Sequence, residues 1–268
     1  MDIQLLLVPY DTARRGWRSG AGPEHLLRAG LINHLESAGH ILAEAQVIED
    51  DPACQPDEIR TAFELARGLA SAVRSARAAG RFPLVLSGNC NSAVGTLSGL
   101  TPARRATFWF DAHGDCNTPD STTSGFLDGM GLAMALGWCW RSLAASVPGF
   151  EPVADEATFL LGVRDLDPAE AVLIERSTIL SVPVAQLPGD LPALLAKAPL
   201  ADTLGYVHLD LDVLDPAVGI ANDLPVPGGL SVEQLIAALA SYTPEVDRNQ
   251  GICRAAFAAI DAMVGGDG

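Results

Sequence analysis

Short, nearly continuous apolar runs recur along the chain, alternating with longer stretches in which apolar residues return every three or four positions. The first kind predicts strands at 3–9, 40–48, 82–87, 106–111, 157–163, 178–184, 204–210 and 255–260. Several show little polar alternation, as strands covered on both faces of a parallel sheet do. The second kind predicts helices at 23–38, 57–79, 129–136, 168–177, 191–197 and 231–241. The clearest is 57–79, where alanine and leucine fall at helical spacing. Strand and helix in alternation predict an α/β fold, a three-layer α/β/α sandwich around a mostly parallel sheet of about eight strands. No repeat, charge block or low-complexity linker divides the chain, so a single domain spanning 1–268 is expected.

Composition narrows the function classes. With 49% hydrophobic and 19% charged residues over 268 positions, the chain is neither disordered nor fibrous, and it is long enough to bury a core without staples. Acidic side chains number 33 against 17 basic ones, a formal charge of −16, which argues against a nucleic-acid partner. Such acidity reads as a solvated surface unless some carboxylates converge. No apolar stretch reaches the ~18–20 residues a membrane span needs, so no membrane partner is expected. The first residues lack a basic flank and a small-residue cleavage site, which predicts no secretory leader. Five scattered cysteines, an odd number, point to a reducing cytoplasm.

In wound parallel sheets ligands bind beyond the carboxyl ends of the strands, so polar residues just after apolar runs carry the functional weight. After 82–86 comes Ser87-Gly88-Asn89-Cys90-Asn91-Ser92, a turn opening into a helix, in which Cys90 by itself reads as a small core residue. After 106–110 comes Asp111-Ala112-His113-Gly114-Asp115. Alternate residues of an extended segment point the same way, so Asp111, His113 and Asp115 project into one space. Burying all three without a cation is costly; the plainer alternative is a hydrogen-bonded loop with Asp111 capping a helix. The third strand end reads His208-Leu209-Asp210-Leu211-Asp212-Val213-Leu214-Asp215-Pro216. Asp210 and Asp212 share a face, while Asp215-Pro216 reads as a turn in which Asp215 is a structural cap. His208 lies on the Asp210 face, two residues deeper, and reads as a satisfied core histidine, with a group that supports the ligands as the lesser alternative. Five ligand-type side chains at two strand ends suit two hard divalent cations bridged by carboxylates, a pair that lowers the pKa of a shared water. Oxygen-rich ligation with a single imidazole favours manganese over zinc.

These motifs resemble the arginase–agmatinase (ureohydrolase) family of binuclear manganese amidinohydrolases, in order and over most of the chain. Arg15-Gly16, Gly22-Pro23 and Leu27-Arg28-Ala29-Gly30-Leu31 are similar to that family's opening loop and first helix. Asp111-Ala112-His113-Gly114-Asp115 and Asp210-Leu211-Asp212 resemble its two central metal motifs, and 224–231 the loop and helix start after the second. Asn117-Thr118-Pro119 and Thr122-Thr123-Ser124-Gly125 resemble the arginase loop that holds the substrate α-carboxylate, which implicates Asn117 and Ser124. The segment 162–170 resembles the one gripping the α-amino group, which implicates Asp167 and, less directly, Asp165 and Glu170. An agmatinase-type substrate lacks the carboxylate, so the resemblance leans to the arginase branch.

Four positions depart from the pattern. Cys90 stands where the family has a metal-binding His, and by this resemblance becomes a ligand. A thiolate is softer than imidazole and beside divalent cations is deprotonated. The resemblance thus implies two Mn2+ per subunit, with other divalent metals admitted by Cys90. Asp128 stands where arginases carry a proton-shuttling His, and Leu224 replaces a hydroxyl residue near the guanidinium. Asp261 aligns with a guanidinium-binding Glu, as a shorter substitute. The implied ligands are Asp115, Cys90, Asp111 and Asp210 for one ion, and His113, Asp212, Asp111 and Asp210 for the other. Asp115, Asp128 and Asp261 are the implied catalytic residues. The changes surround the reacting group while the amino-acid clamp is kept, which fits L-arginine or Nω-hydroxy-L-arginine cleaved to urea or hydroxyurea plus L-ornithine. An agmatinase or guanidinobutyrase, or a degenerate arginine- or metal-binding member, is the alternative. The implied partner is a small guanidino molecule, and the chain is expected as a monomer or homo-oligomer.

Overall fold

The computed structural model describes residues 1–235, except 188, 190, 197, 199 and 201. Its strands are β1 (Asp2–Val8), β2 (Tyr10–Asp11), β3 (Arg14–Arg15), β4 (Ile41–Leu42), β5 (Gln46–Val47), β6 (Phe82–Ser87), β7 (Arg104–Phe110), β8 (Thr158–Leu161), β9 (Leu180–Val182) and β10 (Thr203–Leu209). Its helices are α1 (Gly22–Arg28), α2 (Leu31–Ser37), α3 (Glu58–Ala78), α4 (Ala93–Gly99), α5 (Gly131–Ala135), α6 (Arg141–Ala144), α7 (Pro168–Arg176) and α8 (Leu191–Leu195). They gather into two compact units, one of residues 1–102 with 140–151, the other of residues 103–139 with the described part of 152–253.

In the first unit β1 is the central strand, paired in parallel with β4, β5 and β6. Ile3, Leu5 and Leu7 project from it onto Leu31, Leu35 and Leu86 in a closed apolar cluster. The helix expected over 23–38 is two helices, because Gly30 takes a left-handed conformation (φ +99°) that an L side chain disfavours. The strand expected over 40–48 is likewise two short ones, β4 and β5. Between them the chain leaves the ladder, and the Gln4 side chain donates to the Glu44 carbonyl at 2.7 Å. Helix α3 begins as its sequence suggests, with Asp57 accepting from the Arg60 amide at 2.8 Å. Its apolar stripe, including Phe63, Leu69 and Val73, is buried. A side chain at Gly95 or Gly99 of α4 would strike α3 within 3 Å, so only glycine lets the two helices approach this closely.

In the second unit the strand order is β10-β7-β8-β9, all parallel. Strand β7 is buried along nearly its whole length, and Phe108 stacks on Phe159 of β8 with ring centroids 5.0 Å apart. Burial of such a side chain contributes about 2–3 kcal/mol. Both sheets are parallel with helical connections, as the alternation predicts. The strand expected at 255–260, most of the helix expected at 231–241, and Asp261 lie outside the described residues.

Candidate metal centre

Strand register brings the two acidic motifs together. Strands β7 and β10 run in parallel with Phe110 opposite Leu209. Each strand therefore ends one residue before an aspartate, and the Asp210 amide donates to the Phe110 carbonyl at 2.9 Å. Beyond that point both chains make the same turn. The Asp111 carboxylate accepts from the His113 amide at 2.7 Å, and the Asp210 carboxylate from the Asp212 amide at 2.9 Å. Aspartate readily forms this side-chain-to-backbone turn. Convergence of residues i and i+2 thus comes from paired turns at the strand ends, not from extended alternation alone. Asp215 takes the structural part expected of it, accepting from the amides of Ala217, Gly228 and Gly229.

The side chains meet in two groups that share one residue. Ligand-type atoms of Asp111, His113 and Asp212 lie within 4.8 Å of one another, and so do those of Asp111, Asp115 and His208. His113 Nδ1 is 3.0 Å from Asp212 and 3.5 Å from Asp111. The Asp212 carboxylate also accepts from the Ala112 amide and from Asn222 Nδ2, at 3.0 and 2.7 Å. Asp115 is buried and holds a left-handed conformation (φ +49°), which costs energy for a residue other than glycine. Its carbonyl fixes it there, accepting from the Leu132 and Ala133 amides at the start of α5.

This crowding has an electrostatic signature. Burial drives Asp111 up to about 7, against the pull of the His113 hydrogen bond. Burial, then the charges of Asp111 and Asp212, push Asp210 well above the usual carboxylate range, and Asp128 adds to that push. Burial acts on Asp212 as well, but hydrogen bonds from His113, the Ala112 amide and Asn222 outweigh it and hold that carboxyl low. His113, hydrogen-bonded to Asp111 and Asp212, is raised to about 10. Four carboxylates and an imidazole held this close suit hard divalent cations, which would relieve the repulsion. The donor set fits the two ions expected.

His208 does not match the expected satisfied core histidine. Its ring stacks on Trp109 with centroids 3.6 Å apart, and Nδ1 lies 3.1 Å from the Tyr206 hydroxyl. Nε2 is enclosed and has no hydrogen-bond partner among the described residues. An orphaned buried nitrogen costs about 1–3 kcal/mol. Burial also lowers this imidazole to about 3, keeping it neutral.

Of the residues expected to bind substrate, Asn117 and Asp167 are in direct contact. Asn117 Nδ2 donates to Asp167 at 3.0 Å, and its carbonyl accepts from Ser121 at 3.0 Å. Thr123 reaches Asp167 at 3.3 Å. Ser124 is exposed and accepts from the Phe126 amide at 3.3 Å. Glu170 is committed elsewhere: it is buried, accepts from the Cys116 amide at 2.7 Å, and closes a capping box on Asp167. Asp128 opens the 3-10 turn Asp128–Met130 before α5. Cys90 belongs to the first unit, buried at the start of the 3-10 turn Cys90–Ser92 that follows β6.

Sequence reasoning missed Arg164. Just past β8, its guanidinium donates to the carbonyls of Gly162, Asp212, Val213, Leu214 and Val226 at 2.7–3.3 Å, and its Nε also reaches Pro227. It ties the Asp212 turn to the 222–230 loop. An arginine directly after a buried strand was the available signal, since a buried charge needs dedicated partners.

The sequence profile of the arginase family matches residues 1–248. An arginase from Bacillus caldovelox is 31% identical over 252 residues, covering 87% of this chain and 83% of its own. A hepatic arginase from Aquarana catesbeiana is 29% identical, covering 97% and 83%. The native structure of the Bacillus caldovelox arginase superposes with a TM-score of 0.82 at 28% identity, covering 99% of this chain and 97% of that one. That likeness shows the three-layer α/β/α class expected from the sequence. A formimidoylglutamase from Bacillus subtilis, at 16% identity and a TM-score of 0.68, shares the fold.

Proposed function

The chain belongs to the arginase family of metal-dependent hydrolases acting on guanidino C–N bonds, and from that premise we propose that its substrate is an arginine-like α-amino acid, L-arginine or Nω-hydroxy-L-arginine. The observation carrying this reading is the Asn117–Asp167 pair, 3.0 Å apart. An amide donor and a carboxylate held side by side offer one partner for an α-carboxylate and another for an α-ammonium. Agmatine and guanidinobutyrate each lack one of those groups.

The residues divide the work as follows. Asp115, Cys90, Asp111 and Asp210 would hold one divalent cation, and His113, Asp212, Asp111 and Asp210 another; the pair would be Mn2+ unless the Cys90 thiolate selects a softer ion. When bound, such a pair supplies Lewis acidity and an acidified water. Asn117, Ser124 and Asp167 orient the amino-acid end, and Asp261 takes the guanidinium. The reaction adds water across the bond between the guanidino carbon and the side-chain nitrogen, giving urea or hydroxyurea and ornithine. Asp115 and Asp128 handle the proton that leaves the water and reaches the departing amine. Residues 1–268 act together as one metallohydrolase domain.

The test is a panel of L-arginine, Nω-hydroxy-L-arginine, agmatine and guanidinobutyrate with manganese supplied. One of the two amino acids should be preferred by at least about a hundredfold in kcat/KM, because each rival substrate leaves one polar partner of the clamp unmatched. Preference for agmatine or guanidinobutyrate would overturn the substrate assignment. Arginine binding without any urea or hydroxyurea would identify a degenerate member.

A further inference from the structure

We propose that His208 is a ligand of the metal centre, binding through Nε2, with Tyr206 as the residue that positions its ring. This rests on the metal-centre reading above and adds a residue to it. Three observations converge. Tyr206, His208 and Asp210 alternate along the end of β10, so all three share one face. One ring nitrogen of His208 lies within 4.8 Å of a carboxylate oxygen of both Asp111 and Asp115. Donors sitting about 2.0–2.3 Å from a common ion are separated by up to about 4.5 Å, so a cation fits among the three with small adjustments. Nδ1 is engaged by the Tyr206 hydroxyl, whereas Nε2 is buried with no hydrogen-bond partner among the described residues.

The surroundings are those of a ligand imidazole. A metal-bound histidine commonly directs its other ring N–H to an oxygen, which fixes both tautomer and orientation; here that oxygen is the Tyr206 hydroxyl. Trp109 packs flat against the ring and donates its indole N–H to Asp111 at 3.1 Å. One aromatic residue therefore aligns both the imidazole and a shared carboxylate. The resemblance gives the ion on the Asp115 side a thiolate, Cys90, in place of an imidazole. His208 restores a nitrogen donor to that ion from β10.

The holoprotein loaded with Co2+ and carrying ring-15N histidine tests this. Each cobalt-bound imidazole gives a strongly shifted, exchangeable N–H proton signal from its other nitrogen. Two such signals are expected, from His113 and His208. His208→Asn should remove one and weaken binding of one cobalt equivalent by about 10–100-fold. Tyr206→Phe should keep both signals and speed solvent exchange of the His208 proton. A single shifted signal in the unaltered protein overturns the proposal, whether or not any variant folds. So do two signals that both survive in folded His208→Asn with unchanged cobalt affinity. Two cobalt ions and two signals without turnover of any guanidino substrate would defeat the functional reading and leave the His208 assignment standing.

Discussion

Two carboxylates in this chain meet opposite fates. Asp50, just ahead of α3, is gripped by both terminal nitrogens of Arg60 at 2.8 and 2.6 Å and by the Thr61 hydroxyl at 2.8 Å. The Arg60 hydrogen bond, more than any other influence, holds its carboxyl below the ordinary value. Asp210, at the end of β10, faces the charges of Asp111 and Asp212, and desolvation followed by those charges pushes its carboxyl well above the ordinary value. The first region carries its counter-charge in its own sequence. The second gathers carboxylates around His113, and the Arg164 guanidinium, which feels the charges of Asp212 and Asp111, spends its donors on backbone carbonyls. A region built that way takes its positive charge from outside the chain, which is the physical case for a cation site.

The strongest way to break this contrast is Asp210→Asn. The amide keeps the oxygen that accepts from the Asp212 amide but loses the charge. Activity should fall by roughly a thousandfold, about 4 kcal/mol of transition-state stabilisation. In the metal-free protein the same change should raise Tm by a few degrees, because a repelled buried carboxylate has gone. Manganese, which stabilises the unaltered protein by about 4 kcal/mol at a thousand times its Kd, should add much less. Thermal melts with and without chelator read both effects.

Arg164→Met comes next. It strands the carbonyls that hold the Asp212 turn to the 222–230 loop, and should cost about 3 kcal/mol in urea unfolding. Arg164→Lys should recover only part of it, because a point charge does not reproduce the fork. At the proposed amino-acid clamp, Asp167→Ala should raise KM for the proposed amino-acid substrate by about 10–100-fold with a smaller change in kcat, as expected when uniform binding is lost. Metal content should be unchanged.

The smallest effect belongs to Asp50→Asn, which sharpens the comparison from the other side. Its partner is solvent-facing, so Tm should drop by only roughly 2–3 °C at pH 7, with no loss of activity. The folded-state pKa of Asp50 is depressed. Its stabilisation is therefore complete above the unfolded value near 4 and is lost as pH falls through the lower folded one. The Tm gap between the two proteins should close under those acidic conditions.

What the sequence revealed and what it hid follow from the range of the interactions. Helix α3 was legible because its apolar stripe and Asp57 cap are local. The acidic motifs were legible because each sits directly after a predominantly apolar run. Hidden features depended on contacts distant along the chain. Gly30 divides a helix whose apolar period runs straight through it. Gln4 reaches Glu44 across the gap between β4 and β5. Apart from that of Gly162, the carbonyls that Arg164 collects lie 48 to 63 positions away. His208 was assigned to the core on its depth in the strand, and only its surroundings show that Nε2 lacks a partner among the described residues.

The central claim, that these strand ends form a two-cation site, is tested most directly by calorimetric titration of the metal-free protein with Mn2+. The account predicts two equivalents per chain in the unaltered protein and loss of at least one in Asp210→Asn. Two equivalents of unchanged affinity in folded Asp210→Asn, or no binding in the unaltered protein, would contradict it.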